Sequence, residues 1–133
     1  MQLARDAVDI GVYVRDIDAC LRFYCDGLGL PKVGELQFPE GRVQHRIAIG
    51  TSVLKLMQFP EGQAPPAGPP GRMAQAGIRY ITVAVRDLRG LVAELEAKGL
   101  TFVVPPRTSP SGATIAMIED PEGNTVELLE APA

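Results

Sequence analysis

The chain has a single histidine, His45, and no tryptophan. One histidine rules against a two-histidine, one-carboxylate iron site. It also leaves little room for a Ser-His-Asp triad, and no Gly-x-Ser-x-Gly is present. Aromatic residues make up only 5% of the 133 residues, so a flat ligand would find few stacking partners. Cysteine is scarce as well. Cys20 and Cys25 lie five apart on an expected helix, about 140° around its axis, and cannot bridge there. Two unpaired thiols suit a reducing compartment. No apolar run approaches the roughly 20 residues needed to span a bilayer. The opening Met1-Gln-Leu-Ala-Arg-Asp6 carries a charge pair where a signal peptide needs an apolar stretch. No run of basic residues occurs and the net charge is −3, so nucleic acid and anionic membranes are poor candidate partners. A cytoplasmic location is expected.

What the chain does have is a repeat. Asp9-Ile-Gly-Val-Tyr-Val-Arg-Asp-Ile17 returns 71 residues later as Tyr80-Ile-Thr-Val-Ala-Val-Arg-Asp-Leu88. In the first copy Ile10, Val12 and Val14 alternate with Asp9, Gly11, Tyr13 and Arg15, the period of a half-buried strand. Asp16 stands where a helix N-cap belongs. Ile17, Cys20, Leu21, Tyr24 and Leu28 form an apolar helix stripe, Gly27 and Gly29 end it, and Pro31 blocks continuation. Strands are expected near 33–38, 42–49 and 52–59, with a turn at Gly50. The second copy follows suit. Ile81, Val83 and Val85 line a strand, Asp87 caps, and Leu88, Leu91, Val92 and Leu95 make the stripe that Gly99 ends. Strands are expected near 101–105, 113–119 and 124–130, the last two joined by the turn Asp120-Pro-Glu-Gly-Asn124. Each copy reads β-α-β-β-β, an α+β architecture. Module 1 spans residues 8–59 and module 2 residues 79–131. The Pro/Gly-rich linker 60–78 holds Pro60, Pro65, Pro66, Pro69 and Pro70. Neither copy alone is long enough for a stable core, so 1–133 is expected to be one domain. Whether the modules pair within a chain or between chains stays open.

The strand, the Val-Arg-Asp-(Ile/Leu) link and the helix with Phe23-Tyr24 ending Asp26-Gly-Leu-Gly-Leu30 resemble the vicinal oxygen chelate superfamily. So does Glu119-Asp-Pro-Glu-Gly-Asn-Thr-Val-Glu-Leu128. That superfamily includes glyoxalase I, methylmalonyl-CoA epimerase, extradiol dioxygenases, fosfomycin-resistance enzymes and bleomycin-binding proteins. The resemblance implies two modules whose sheets curl into a cup for a small ligand, often with a divalent metal at its base, and usually a homodimer. It is specific for fold and weak for function.

The resemblance also implies four ligand slots, at the start of each module's first strand and the middle of its last. They map to Asp9, Lys55, Tyr80 and Glu127, where the family usually has His, Glu or Gln, His and Glu. Only Glu127 matches. An ammonium at Lys55 repels a cation, and Tyr80 is rarely a ligand. No cofactor is therefore expected, and a divalent metal is disfavoured. An irregular metal set of Asp9, His45 and Glu127 is the alternative. Instead Lys55 is expected between the Asp9 and Glu127 carboxylates, near the Tyr80 hydroxyl, orienting a ligand carbonyl or enolate by hydrogen bonds. The same residues also fit a solvated cross-module ion pair worth roughly 0–1 kcal/mol.

Two functions fit these residues. The first is binding of a small organic molecule, with Asp9, Tyr13, Met57, Thr82, Leu129 and His45 among the contacts. Gln44-His45-Arg46 alternates, so either His45 or Arg46 faces the cup. A surface or locally hydrogen-bonded His45 is the better reading. The second is an isomerase, epimerase or lyase moving a proton next to a carbonyl. Glu127 would be the base, by resemblance, and Lys55 or Tyr80 would steady the enolate. A lysine beside Glu127 would lower its pKa and weaken it as a base, which favours the binding reading.

Overall fold

A computed structural model describes residues 1–133. The first unit runs β1 (Ile10–Val14), α1 (Ile17–Leu21), a wide π-type turn (Arg22–Gly27), β2 (Lys32–Gln37), β3 (Val43–Ile49) and β4 (Ser52–Gln58). The second runs β5 (Tyr80–Ala84), α2 (Leu88–Ala97), β6 (Phe102–Thr108), β7 (Thr114–Glu119) and β8 (Thr125–Glu130). The units are compact over Met1–Ala67 and Gly68–Ala133, and meet inside the expected linker. No helix is long and apolar enough to cross a membrane.

Each unit holds one four-stranded mixed sheet, ordered β1-β4-β3-β2 and β5-β8-β7-β6. The first strand of each lies parallel to the last, and the other pairings are antiparallel. Register and alternation give every sheet two faces. In the first unit Ile10, Val12 and Val14 share a face with Leu54, Leu56 and Ile47. This face meets α1, whose Ile17 and Cys20 are buried along with Phe23 and Tyr24 of the turn that follows. In the second unit Ile81, Val83, Val126, Leu128, Ala116 and Ile118 form the matching face, covered by Leu88, Val92 and Leu95 of α2.

The caps form as the sequence implies. Asp16 Oδ1 accepts a hydrogen bond from Ala19 N at 3.0 Å, and Asp87 Oδ1 one from Gly90 N at 3.2 Å. A Cβ on Gly90 would stand 2.2 Å from Asp87 Oδ2, so this cap requires a glycine there. Glu130, at the end of β8, accepts from Asp87 N and Leu88 N at 2.7 and 3.2 Å and so anchors the start of α2 to the sheet.

Two local expectations change. The first helix is regular for five residues and then widens, with Leu28 N donating to Phe23 O at 2.9 Å. A wider turn brings the adjacent Phe23 and Tyr24 both to the buried side, where their rings meet edge to face at 4.9 Å. Gly27 lies buried inside this turn, and it is Gly29, at φ 73°, that ends it. Cys20 and Cys25 are both free thiols, and burial pushes the Cys25 thiol up. The second change is in β6, which runs past Pro105 and Pro106 to Thr108. It tolerates them because it is an edge strand and its register shifts at that point.

The turn between β7 and β8 depends on one side chain. Asp120 is buried, and its Oδ1 accepts from Glu122 N at 2.9 Å and Asn124 N at 2.8 Å, while the Asn124 amide reaches Oδ2 at 3.0 Å. Asp120→Ala should lower unfolding stability by about 2–3 kcal/mol in urea titrations, because buried N–H groups lose a charged acceptor. Asp120→Asn should lose less, since it keeps one oxygen acceptor.

Candidate functional site

The face of each sheet turned away from its helix holds most of the candidate site residues. In the first unit the register sets Gly11, Lys55, Arg46 and Gly34 in one row across four strands. The next row holds Tyr13, Met57 and Gln44. Phe59 follows Met57 on the same face, its ring edge-on to Tyr13 at 5.0 Å.

Asp9 stands just ahead of β1 and is held on every side. Its Oδ1 accepts from Val53 N at 2.9 Å, which extends the β1–β4 ladder by a side chain. Its Oδ2 takes Arg5 Nη2 at 2.5 Å and lies 3.4 Å from Lys55 Nζ. Arg5 in turn donates to Thr51 O at 2.7 Å. The Arg5 hydrogen bond, and after it the Val53 amide, hold the Asp9 carboxyl below its ordinary pKa; burial pushes the other way, and Lys55 adds a smaller lowering. The Lys55 side chain is about one-third exposed, so solvent screens its pair with Asp9.

Arg46 lies directly across from Lys55. Its Nη1 donates to Gln44 Oε1 at 2.8 Å, and it forms no ion pair.

In the second unit the corresponding row is Thr82, Glu127 and Met117. Glu127 is buried, and its Oε1 accepts from Thr82 Oγ1 at 2.9 Å while Oε2 makes no hydrogen bond. Met117 is buried beside it. Tyr80, half-exposed, opens β5 opposite Thr125, and Leu129 lies on the same face two residues beyond Glu127.

His45 belongs elsewhere. It pairs with Leu56, so it points to the helix side of its sheet, opposite to Lys55 and Arg46. There it is buried, with Nε2 2.8 Å from Gln58 Oε1 and Nδ1 3.4 Å from Glu35 Oε1. Lys32 pairs with Glu35 and holds that carboxyl below its usual range. This corrects His45 as a ligand contact and removes it from the metal set with Asp9 and Glu127, because the sheet itself stands between His45 and Asp9. Arg46, the other branch of the alternation, is the residue on the site face.

Neither unit's pair of slots fits a divalent cation. In the first unit Asp9 has both oxygens engaged and Lys55 brings a positive charge; in the second Tyr80 offers only its hydroxyl and Glu127 one open carboxylate oxygen. No three His, Cys, Asp or Glu side chains gather into a group that could hold a metal.

Residues 7–128 match the family model of the Glyoxalase/Bleomycin resistance protein/Dioxygenase superfamily. The chain belongs to this superfamily. A probable lactoylglutathione lyase from Synechocystis sp. is 27% identical over 125 residues, 90% of each chain. Among solved structures, that of SMU.1112c superposes with a TM-score of 0.84 at 23% identity, covering 96% of this chain and 100% of that one. TnmS3, an antibiotic binding protein from Streptomyces sp. CB03234, gives 0.74 at 21% identity, covering 98% and 100%. At these identities the structures establish the shared glyoxalase-like fold.

Sequence reasoning did not find Arg5, Gln44, Phe59 or Met117. Phe59 was within reach, two residues beyond Met57 on the same alternation. Arg5, Gln44 and Met117 became visible only with the strand register and the side-chain bonds.

The bonds at Asp9 have a pH consequence. A carboxylate whose pKa falls on folding stabilises the fold above the ordinary carboxylate range, near pH 4. That contribution is lost as pH falls through the lowered value. Urea midpoints should therefore drop below about pH 4, and Asp9→Asn should flatten this part of the profile while leaving its shape near neutrality unchanged.

Proposed function

We propose that this protein binds a small organic molecule on the first unit's face that bears Lys55, with a lysine ammonium standing where relatives of the family hold a metal. The observation that carries this reading is the Lys55–Asp9 pair at 3.4 Å, which places a cation and an engaged carboxylate at two of the four slots. Apolar groups beside a few polar ones, Met57 and Tyr13 with Lys55 on the first unit's face and Leu129 with Glu127 on the second's, are the usual make-up of a ligand-binding surface. A protein of the same fold is described as an antibiotic binding protein. The homodimer implied by family membership and the cytoplasmic location expected from the sequence are part of the same proposal.

Glu127 favours a second reading, proton transfer next to a carbonyl. It is buried, oriented by Thr82, and keeps one oxygen open to a substrate. That is the geometry of a general base. Tyr80, at the start of β5 in the same unit, would steady the enolate. The likeness to a probable lactoylglutathione lyase gives this reading some support.

Two measurements separate the readings. Elemental analysis of untagged protein should find no stoichiometric transition metal, and nickel or zinc should leave the melting temperature unchanged while members of a metabolite library raise it. A tightly bound stoichiometric metal would overturn the proposal. Solvent deuterium exchange into α-keto acids or acyl thioesters, abolished by Glu127→Gln, would establish the second reading instead.

A further inference from the structure

The site face of the first unit has more positive charge than it neutralises. Arg5, Lys55 and Arg46 are served there by one carboxylate, Asp9, which contacts the first two. Arg46 has only the Gln44 side-chain oxygen. Lys55 and Arg46 lie directly opposite in register, where like charges repel across a strand pair. An acidic chain, net −3, that keeps two cations side by side on one face holds an anion-binding site in waiting.

The surroundings define the anion. Arg46 commits Nη1 to Gln44, which leaves the rest of its planar fork to donate. Such a fork matches a carboxylate, with Lys55 as a second donor. Glycines end the row on both sides. A Cβ on Gly11 would meet nothing within 4 Å, so that end is open, and at the other end the Arg46 stem lies over Gly34, its Cδ at ordinary contact distance, 3.9 Å, from where a Cβ would be. One row on, about 7 Å along the strands, Met57 and the Tyr13–Phe59 ring pair form an apolar surface. We infer that the ligand is an amphipathic carboxylate, its head on Arg46 and Lys55 and its flat or branched apolar body against Met57, Tyr13 and Phe59. The inference rests on the binding function proposed above and specifies its ligand class.

Two probes of equal shape test it, 2-naphthoate and 2-naphthamide, titrated calorimetrically into the full chain. Naphthoate should bind at least tenfold more tightly than naphthamide, and added salt should narrow the gap. Arg46→Gln and Lys55→Gln should each weaken naphthoate at least tenfold and leave naphthamide unchanged. If Lys55→Gln fails to fold, Arg46→Gln and the wild-type comparison decide the question. No naphthoate binding, equal affinity for the two probes, or unchanged naphthoate affinity in Arg46→Gln would overturn the inference. Equal affinity would still leave a small-molecule binder, whereas a stoichiometric metal would remove the binding proposal whatever naphthoate did.

Discussion

Each unit is organised by one pairing, its first strand parallel to its last. Neighbours in a strand pair face the same way, so this pairing decides which residues of distant sequence share a surface. It brings Gly11 beside Lys55 and Thr82 beside Glu127, residues more than forty positions apart. The helix between the strands then covers the other face and buries it. Leu54, Leu56, Val126 and Leu128 are almost fully enclosed there. With one face spent on the core, the other is left to carry polar groups and whatever they bind.

The two copies carry different residues at equivalent places on that free face. The first unit's row is Gly11, Lys55 and Arg46; the second unit's is Thr82, Glu127 and Met117. A lysine in one copy answers a glutamate in the other. The strand-start positions, Asp9 and Tyr80, differ just as much. Asp9 is bound into the fold by Val53 and Arg5, whereas Tyr80 is half-exposed. The duplication thus preserved the backbone frame, held by caps, glycine turns and core faces, and left the site rows free to change. One fold can carry different residues on such rows, and this chain shares its fold with an antibiotic binding protein while its sequence resembles a probable lyase.

Legibility followed the range of the interactions. Asp16 and Asp87 were readable as caps because a cap joins residues three apart. The Asp120 turn was readable for the same reason. The wide turn at Arg22–Gly27 was not, because a regular stripe through Leu28 satisfies the same apolar pattern and only packing favours burying Phe23 and Tyr24 together. Alternation left His45 and Arg46 undecided, since period two separates them without saying which face is the core. The pairing of His45 with Leu56 settled it; the buried imidazole keeps one hydrogen bond there, from Nε2 to Gln58, while Nδ1 has no hydrogen-bond partner.

The amino-acid sequence alone determined the two-copy plan, the order of elements, the family resemblance and the unusual residues in the four slots. All of these rest on local periodicity, short-range capping and motif identity, which need no knowledge of distant neighbours. Only the tertiary structure decided that Asp9 is tied to Arg5, Val53 and Lys55, that Arg46 lies beside Lys55 with no counter-ion, and that His45 faces the helix. Those facts depend on strand register, and register is set by long-range pairing and by which face is buried.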